Sequence, residues 1–285
     1  LATRLSLTDR LHAVLGSRYG SWELESAAPE YDDNDELLRA NKTRQTHNDM
    51  WTPYAVLLYD LTPQYTVYAS YTDIFMPQEN YNRDRDNKLL EPDEGQNWEL
   101  GVKADFLDGR LNASAAYFEI RESNRALSDD EYNNQTPIPN NYAYKSSKAV
   151  TKGYELEMSG EIAPGWQLQA GYTHKVVRDD KDVKISTFEP EDQVKLFTTY
   201  KLKGNLDKLT VGGGFNWQSK TGFDLRYYTQ DSYAVANLMA RYEITPNLSA
   251  SVNLNNVFDK EYFTTTSAGV YGAPRNVMTG FKDDV

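Results

Sequence analysis

The feature that most restricts this chain is a period of two. Residues 91–121 read EPDEGQNWELGVKADFLDGRLNASAAYFEIR. Before the Leu107-Asp108-Gly109-Arg110 turn, Trp98, Leu100, Val102, Ala104 and Phe106 share one face. Asn97, Glu99, Gly101, Lys103 and Asp105 share the other. Such alternation is that of a strand, and Asp-Gly between two alternating runs predicts a hairpin. The pattern recurs along the chain. Tyr65, Val67, Ala69 and Tyr71 alternate with Thr66, Tyr68, Ser70 and Thr72. Residues 154–162, 166–173, 194–202, 209–217 and 248–255 do the same, with Phe197 the exception on its polar face. About thirteen strands are expected.

The connections have a rhythm of their own. Six are short and turn-like, at 8–10, 61–64, 107–110, 163–165, 204–207 and 245–247, with Asp, Asn, Gly or Pro where turns want them. Six long polar connections are expected near 25–47, 76–94, 124–148, 178–189, 219–230 and 259–274. Short and long alternate strictly. One end of the sheet is therefore close-cropped and the other carries long loops.

Composition limits what this sheet can do. With 39% hydrophobic residues, 21 tyrosines and five tryptophans in 285 residues, the chain suits strands that are apolar on one face only. The net charge of −12 leaves no basic stripe to neutralise phosphates, which argues against nucleic-acid binding. There is no cysteine, so neither disulfides nor thiolate chemistry can operate. No apolar run reaches the roughly 18 residues of a transmembrane helix. A membrane barrel is untouched by that test, because its strands give only short alternating segments. The chain has no evident leader, since Leu1-Ala2-Thr3-Arg4-Leu5 already reads as strand.

A soluble β-sandwich or large soluble barrel would alternate in the same way. Two features favour an antiparallel transmembrane β-barrel. The short-turn, long-loop rhythm distinguishes a periplasmic from an extracellular end. Aromatics also close many apolar runs, among them Tyr19, Trp22, Tyr71, Trp98, Tyr117, Tyr154, Trp166, Tyr172, Trp217, Tyr233 and Tyr242. That is the placement of interfacial girdles.

Several phrases carry a family resemblance. They are Leu89 and Glu91-Pro92 with Gly95-Gln96-Asn97-Trp98-Glu99-Leu100-Gly101, Asp108-Gly109-Arg110-Leu111-Asn112-Ala113, and Lys152-Gly153-Tyr154-Glu155. Later come Leu254-Asn255-Asn256-Val257-Phe258-Asp259-Lys260-Glu261-Tyr262 and Tyr271-Gly272-Ala273-Pro274-Arg275-Asn276. In this order they resemble the C-terminal barrel portion of TonB-dependent outer-membrane receptors for ferric siderophores, of the ferric-coprogen and ferripyoverdine type. The resemblance spans residues 1–285. It implies a 22-stranded barrel in the outer membrane of a Gram-negative bacterium. The first strands and the plug domain would then lie outside this chain. It also implies energy coupling through a TonB–ExbB–ExbD complex via that missing N-terminal region, and contact with outer-membrane lipid. The ending Phe281-Lys282-Asp283-Asp284-Val285 departs from the terminal aromatic usual in such barrels.

In such a receptor the ligand is a ferric siderophore, which itself carries the iron. No cofactor and no protein metal ligands are then expected. The resemblance implies binding by long loops and the upper lumen wall, where aromatic and polar side chains hold an organic ligand. Candidates are Trp51, Tyr54, Tyr81, Arg83, Arg85, Tyr142, Tyr144, Phe223, Arg226, Tyr227 and Tyr228. Any of these aromatics could instead belong to the outer girdle or to loop packing. His12, His47 and His174 are too dispersed to suggest a metal triad. The acidic runs at 32–36 and 179–182 lack the spacing of a calcium loop. No Gly-x-Ser-x-Gly elbow occurs, so no enzyme is expected. A passive outer-membrane pore, or a smaller self-contained barrel, has the same strand pattern and remains the alternative.

Overall fold

The computed structural model describes residues 1–31, 37–135, 141–222 and 229–263. Its strands are β1 (Ala2–Ser6), β2 (Leu11–Tyr31), β3 (Leu37–Asp60), β4 (Tyr65–Met76), β5 (Asp93–Phe106), β6 (Leu111–Ser128), β7 (Tyr144–Ala163) and β8 (Trp166–Asp179). They continue with β9 (Lys184–Ile185), β10 (Asp192–Lys201), β11 (Leu209–Gln218), β12 (Thr221–Gly222), β13 (Thr229–Gln230), β14 (Tyr233–Thr245) and β15 (Leu248–Leu254). One short helix, α1 (Asp130–Asn133), lies between β6 and β7. The long strands pair antiparallel with their chain neighbours in one 13-stranded sheet, and β9 hangs on β8. β12 and β13 form a separate pair. The expected strand number and all six short turns are present.

The connection expected over 25–47 is different. β2 and β3 stay paired from Leu11↔Tyr59 to Tyr31↔Leu37, so most of this stretch is a long hairpin. Alternation marks a strand only where one face is dry. Residues 25–47 carry no sustained apolar alternation, so their sequence reads as loop.

The two faces separate as expected. Tyr71 opposes Trp98, Ala69 opposes Leu100, and Val67 opposes Val102 on one side. Ser70 opposes Glu99 and Thr66 opposes Lys103 on the other. Among the described residues no second layer covers the apolar face. Among the described residues only Leu90, Ala143 and Ala149 are buried hydrophobics, whereas Leu100, Leu156, Leu238 and Val252 are exposed. The chain exposes 19726 Å², against about 12,000 Å² for a compact soluble protein of this mass. The apolar face needs a solvent other than water.

The aromatic positions give the geometry of that solvent. Tyr71 pairs with Trp98, Tyr117 with Tyr154, and Tyr172 with Val194, which pairs in turn with Trp217. Each group lies two residues nearer the short turns than the one before, because Trp98 itself faces Glu119 and Tyr154 faces His174. Two residues of about 3.4 Å per two strand spacings of about 4.8 Å make this line level when strands tilt by about 35°. Membrane barrels tilt by about 35–45°. A second aromatic line lies toward the short turns, with Tyr65 packed on Phe106 and Trp166 on Tyr200. The eight residues from Trp98 to Phe106 then span about 22 Å of height, close to the apolar band of an outer-membrane barrel, about 25 Å. The sheet is a tilted wall of a partial barrel.

Glycines tighten this wall. Gly212-Gly213-Gly214 suit close backbone approach, and the approaching backbone is that of β10. A Cβ on Gly212 would lie 2.8 Å from the Thr198 carbonyl oxygen. One on Gly214 would fall on the Leu196 carbonyl. Phe197 stands on the polar face opposite Gly214.

Candidate functional site

At the long-loop end, the polar face is roofed. Asn97 and Glu99 of β5, Phe118 and Ile120 of β6, Thr151 and Glu155 of β7, and Thr173 and Lys175 of β8 form the wall of a cavity of about 840 Å³. The β4–β5 loop closes one side. There Gln78 is buried, its amide donating to the carbonyls of Glu91 (2.9 Å) and Asn124 (2.6 Å) while its carbonyl accepts from Asn82 (2.9 Å). Asn124 has a φ of 62°, and the β6–β7 register shifts between Glu122 and Arg125. That bulge aims Arg125 at the β8–β10 loop, where its Nη2 donates to Ser186 Oγ at 2.9 Å. The same loop is held by Thr187 Oγ1 donating to the Gly222 carbonyl at 2.7 Å, and by the Lys175–Glu189 and Lys184–Glu191 ion pairs.

Seven carboxylates line this chamber, against the two cations Arg125 and Lys175. Its field favours a ligand carrying cationic or neutral polar groups over a bare anion. Asn97 Oδ1 is shielded and has no hydrogen-bond partner. A second cavity of about 500 Å³ adjoins through Gln193 and contains Tyr233 and Tyr262, stacked at 4.4 Å.

The candidate residues separate into three groups. Tyr54 faces the polar side, its ring over Gly16. Trp51 is on the outward face, 69% exposed and paired with Tyr19. Tyr81, Tyr142 and Tyr144 meet at the loop apex, with ring centroids 6.0 Å apart for Tyr81–Tyr144 and 5.3 Å for Tyr142–Tyr144. Arg83 and Arg85 brace that apex. Arg83 donates to the Asn80 and Asn87 carbonyls, both at 2.9 Å. Arg85 clamps the nearly buried Asp129 with two bonds (2.6 and 3.1 Å) and lies 5.5 Å from the Tyr132 ring centroid. The clamp holds the Asp129 carboxyl below its usual range. Phe223, Arg226, Tyr227 and Tyr228 lie outside the described residues, as does the phrase at 271–276.

Sequence reasoning missed Gln78, Asn82, Asn97 and Arg125. Amides and a strand-borne arginine carry no signal until the bulge and loops bring them together. Tyr262 was within reach, since it ends the Asn-x-Phe-Asp-Lys-x-Tyr phrase.

Residues 1–257 match the family model described as TonB dependent receptor-like, beta-barrel. The chain belongs to the TonB-dependent receptor β-barrel family. It is 51% identical to the ferripyoverdine receptor of Pseudomonas aeruginosa, over all of this chain and 35% of that protein. It is 46% identical to the ferric-pyoverdine BN7/BN8 receptor of Pseudomonas putida, over 99% of this chain and 33% of the relative. Among solved structures, the outer-membrane ferripyoverdine receptor of Pseudomonas aeruginosa bound to ferripyoverdine superposes with a TM-score of 0.81 at 49% identity, covering 98% of this chain and 36% of that one. The FpvAI–pyocin S2 complex superposes at 0.79 with 50% identity, over 98% and 36%. The chain therefore spans about a third of these relatives. TonB-dependent receptors of this kind are outer-membrane β-barrel proteins. The relatives are receptors, not enzymes.

Proposed function

We propose that this chain is the C-terminal part of the barrel wall of an outer-membrane receptor for ferric siderophores, with pyoverdine-type chelates the nearest class. Its 51% identity over the whole chain to a ferripyoverdine receptor carries the reading. The roofed chamber supports it, because about 840 Å³ bounded by the lumen wall and two long loops suits an organic chelate. In this reading the siderophore holds the iron and the protein contacts only the organic shell. Asn97, Arg125, Tyr54 and the apex tyrosines Tyr81, Tyr142 and Tyr144 are the groups proposed to meet it. A plug preceding Leu1 would close the lumen, and TonB–ExbB–ExbD would energise release through that region. The pyocin complex of a relative supports a pyocin as a second ligand.

Uptake of radioiron as ferric pyoverdine by cells carrying the intact receptor tests the reading. TonB-dependent, saturable uptake is expected. A receptor that takes up and binds none of a panel of ferric siderophores, yet conducts steadily in a bilayer, would establish the passive pore instead.

A further inference from the structure

Three lumenal glycines face an aromatic ring directly across the ladder: Gly16 opposite Tyr54, Gly101 opposite Tyr68, and Gly153 opposite Phe118. In each case ring atoms occupy the space a Cβ would take. On Gly101 it would lie 2.6 Å from both Cε1 and Cζ of Tyr68. On Gly153 it would fall on the His174 carbonyl oxygen and also lie 2.6 Å from Cζ of Phe118, so backbone and ring both crowd that position. The rings therefore lie down on the backbone of the neighbouring strand. Each pair joins two strands connected at the end away from the short turns. They lie on β2/β3, β4/β5 and β6/β7, and among the described residues β8/β10 and β11/β14 have none. Gly101 and Tyr68 stand three residues nearer the short turns than the Trp98–Tyr71 pair, whereas Phe118 and Gly153 stand one residue beyond the Tyr117–Tyr154 pair.

Not every lumenal glycine behaves this way. Gly171 has nothing within 4 Å of such a Cβ, and the one on Gly214 meets backbone rather than the Phe197 ring. The flat ring is a property of the three pairs. Tyr68 is the most constrained, since its hydroxyl donates to Glu99 and Lys103 Nζ lies 5.1 Å from its ring centroid.

We propose that these glycine–aromatic pairs are positioning elements that keep bulky rings folded against the lumen wall, holding the passage clear where each pair stands. A ring with a side chain beneath it must stand up into the lumen. The passage in question rests on the siderophore-receptor reading, but the ring geometry does not.

Gly101 is the position to change, because the nearest atoms a methyl would meet there are all in the Tyr68 side chain. The test uses the intact receptor with Gly101→Ala, Tyr68→Ala and the double variant. Two measurements are made on each, ferric-pyoverdine uptake by cells and the unfolding midpoint of the purified protein. Gly101→Ala is expected to fold, to unfold a few degrees lower, and to lose uptake severalfold. Tyr68→Ala in the same chain should restore both toward the Tyr68→Ala single variant. If the double variant keeps the full Gly101→Ala deficit in midpoint, or Gly101→Ala changes neither quantity, the proposal is overturned. If the unaltered receptor takes up no ferric siderophore, the receptor reading fails, and recovery of the midpoint still decides whether the pair is coupled.

Discussion

At the scale of single residues, the loop apex is held by charge. Arg85 offers two donors to Asp129, whose side chain is only 5% exposed. A planar guanidinium matched to a carboxylate is the strongest form of such a contact. Arg85→Ala is expected to loosen the β4–β5 loop and leave the sheet intact. Limited trypsin digestion should then cut at Arg83 or Lys88 faster, with an unchanged β-sheet circular-dichroism signal. The pH dependence has a definite sign. The Arg85 clamp depresses the Asp129 pKa in the fold, so the stability it contributes is complete above the unfolded value, about 4, and is lost as pH falls through the folded one. Apex amides should exchange faster only below about pH 4. Equal protection at pH 3 and pH 6 would contradict the clamp. Residue type alone had marked Arg85 as a ligand group. Its partner is 44 residues away, and no local pattern announces it.

The elements were readable wherever one face is dry. The hairpin of β5 and β6 was evident in outline from Trp98, Leu100, Val102 and Ala104 against Glu99, Lys103 and Asp105. The upper β2–β3 hairpin was not, because its sequence is polar at most positions and has no sustained apolar period of two. The chamber was hidden for another reason, since it depends on a bulge at Asn124 and on loops that fold onto the wall. Two substitutions separate the faces. Leu100→Arg puts a charge in the lipid band, at a cost of about 2–4 kcal/mol near mid-bilayer, whereas Lys103→Gln on the lumen face should cost little. Denaturant unfolding in detergent or lipid compares them. Gly214→Ala forces a methyl onto the Leu196 carbonyl and should destabilise the β10–β11 pair by about 1–3 kcal/mol, the scale of overpacking. An unchanged midpoint for Gly214→Ala would mean that β10 and β11 approach less closely than described.

For the whole molecule, the wall makes sense only as part of something larger. β1 and β15 each have one partner among the described strands. Unpaired backbone groups in hydrocarbon cost several kcal/mol each, so lipid requires those edges to be met. The relatives are about three times as long as this chain, which is room for the remaining strands. The 285 residues alone are expected to give no steady single-channel current, and a stable open conductance would favour a self-contained pore.

The central claim is that one face of this sheet meets lipid and the other lines a wet lumen. The chain contains no cysteine, so single cysteines can be placed without background. Scanning 98–106 in the intact receptor, in native membranes, with a water-soluble and a lipid-soluble thiol reagent tests the claim most directly. Positions 99, 103 and 105 should react with the former, and 100, 102 and 104 only with the latter. Equal aqueous reactivity along the strand, or reactivity without a period of two, would contradict it.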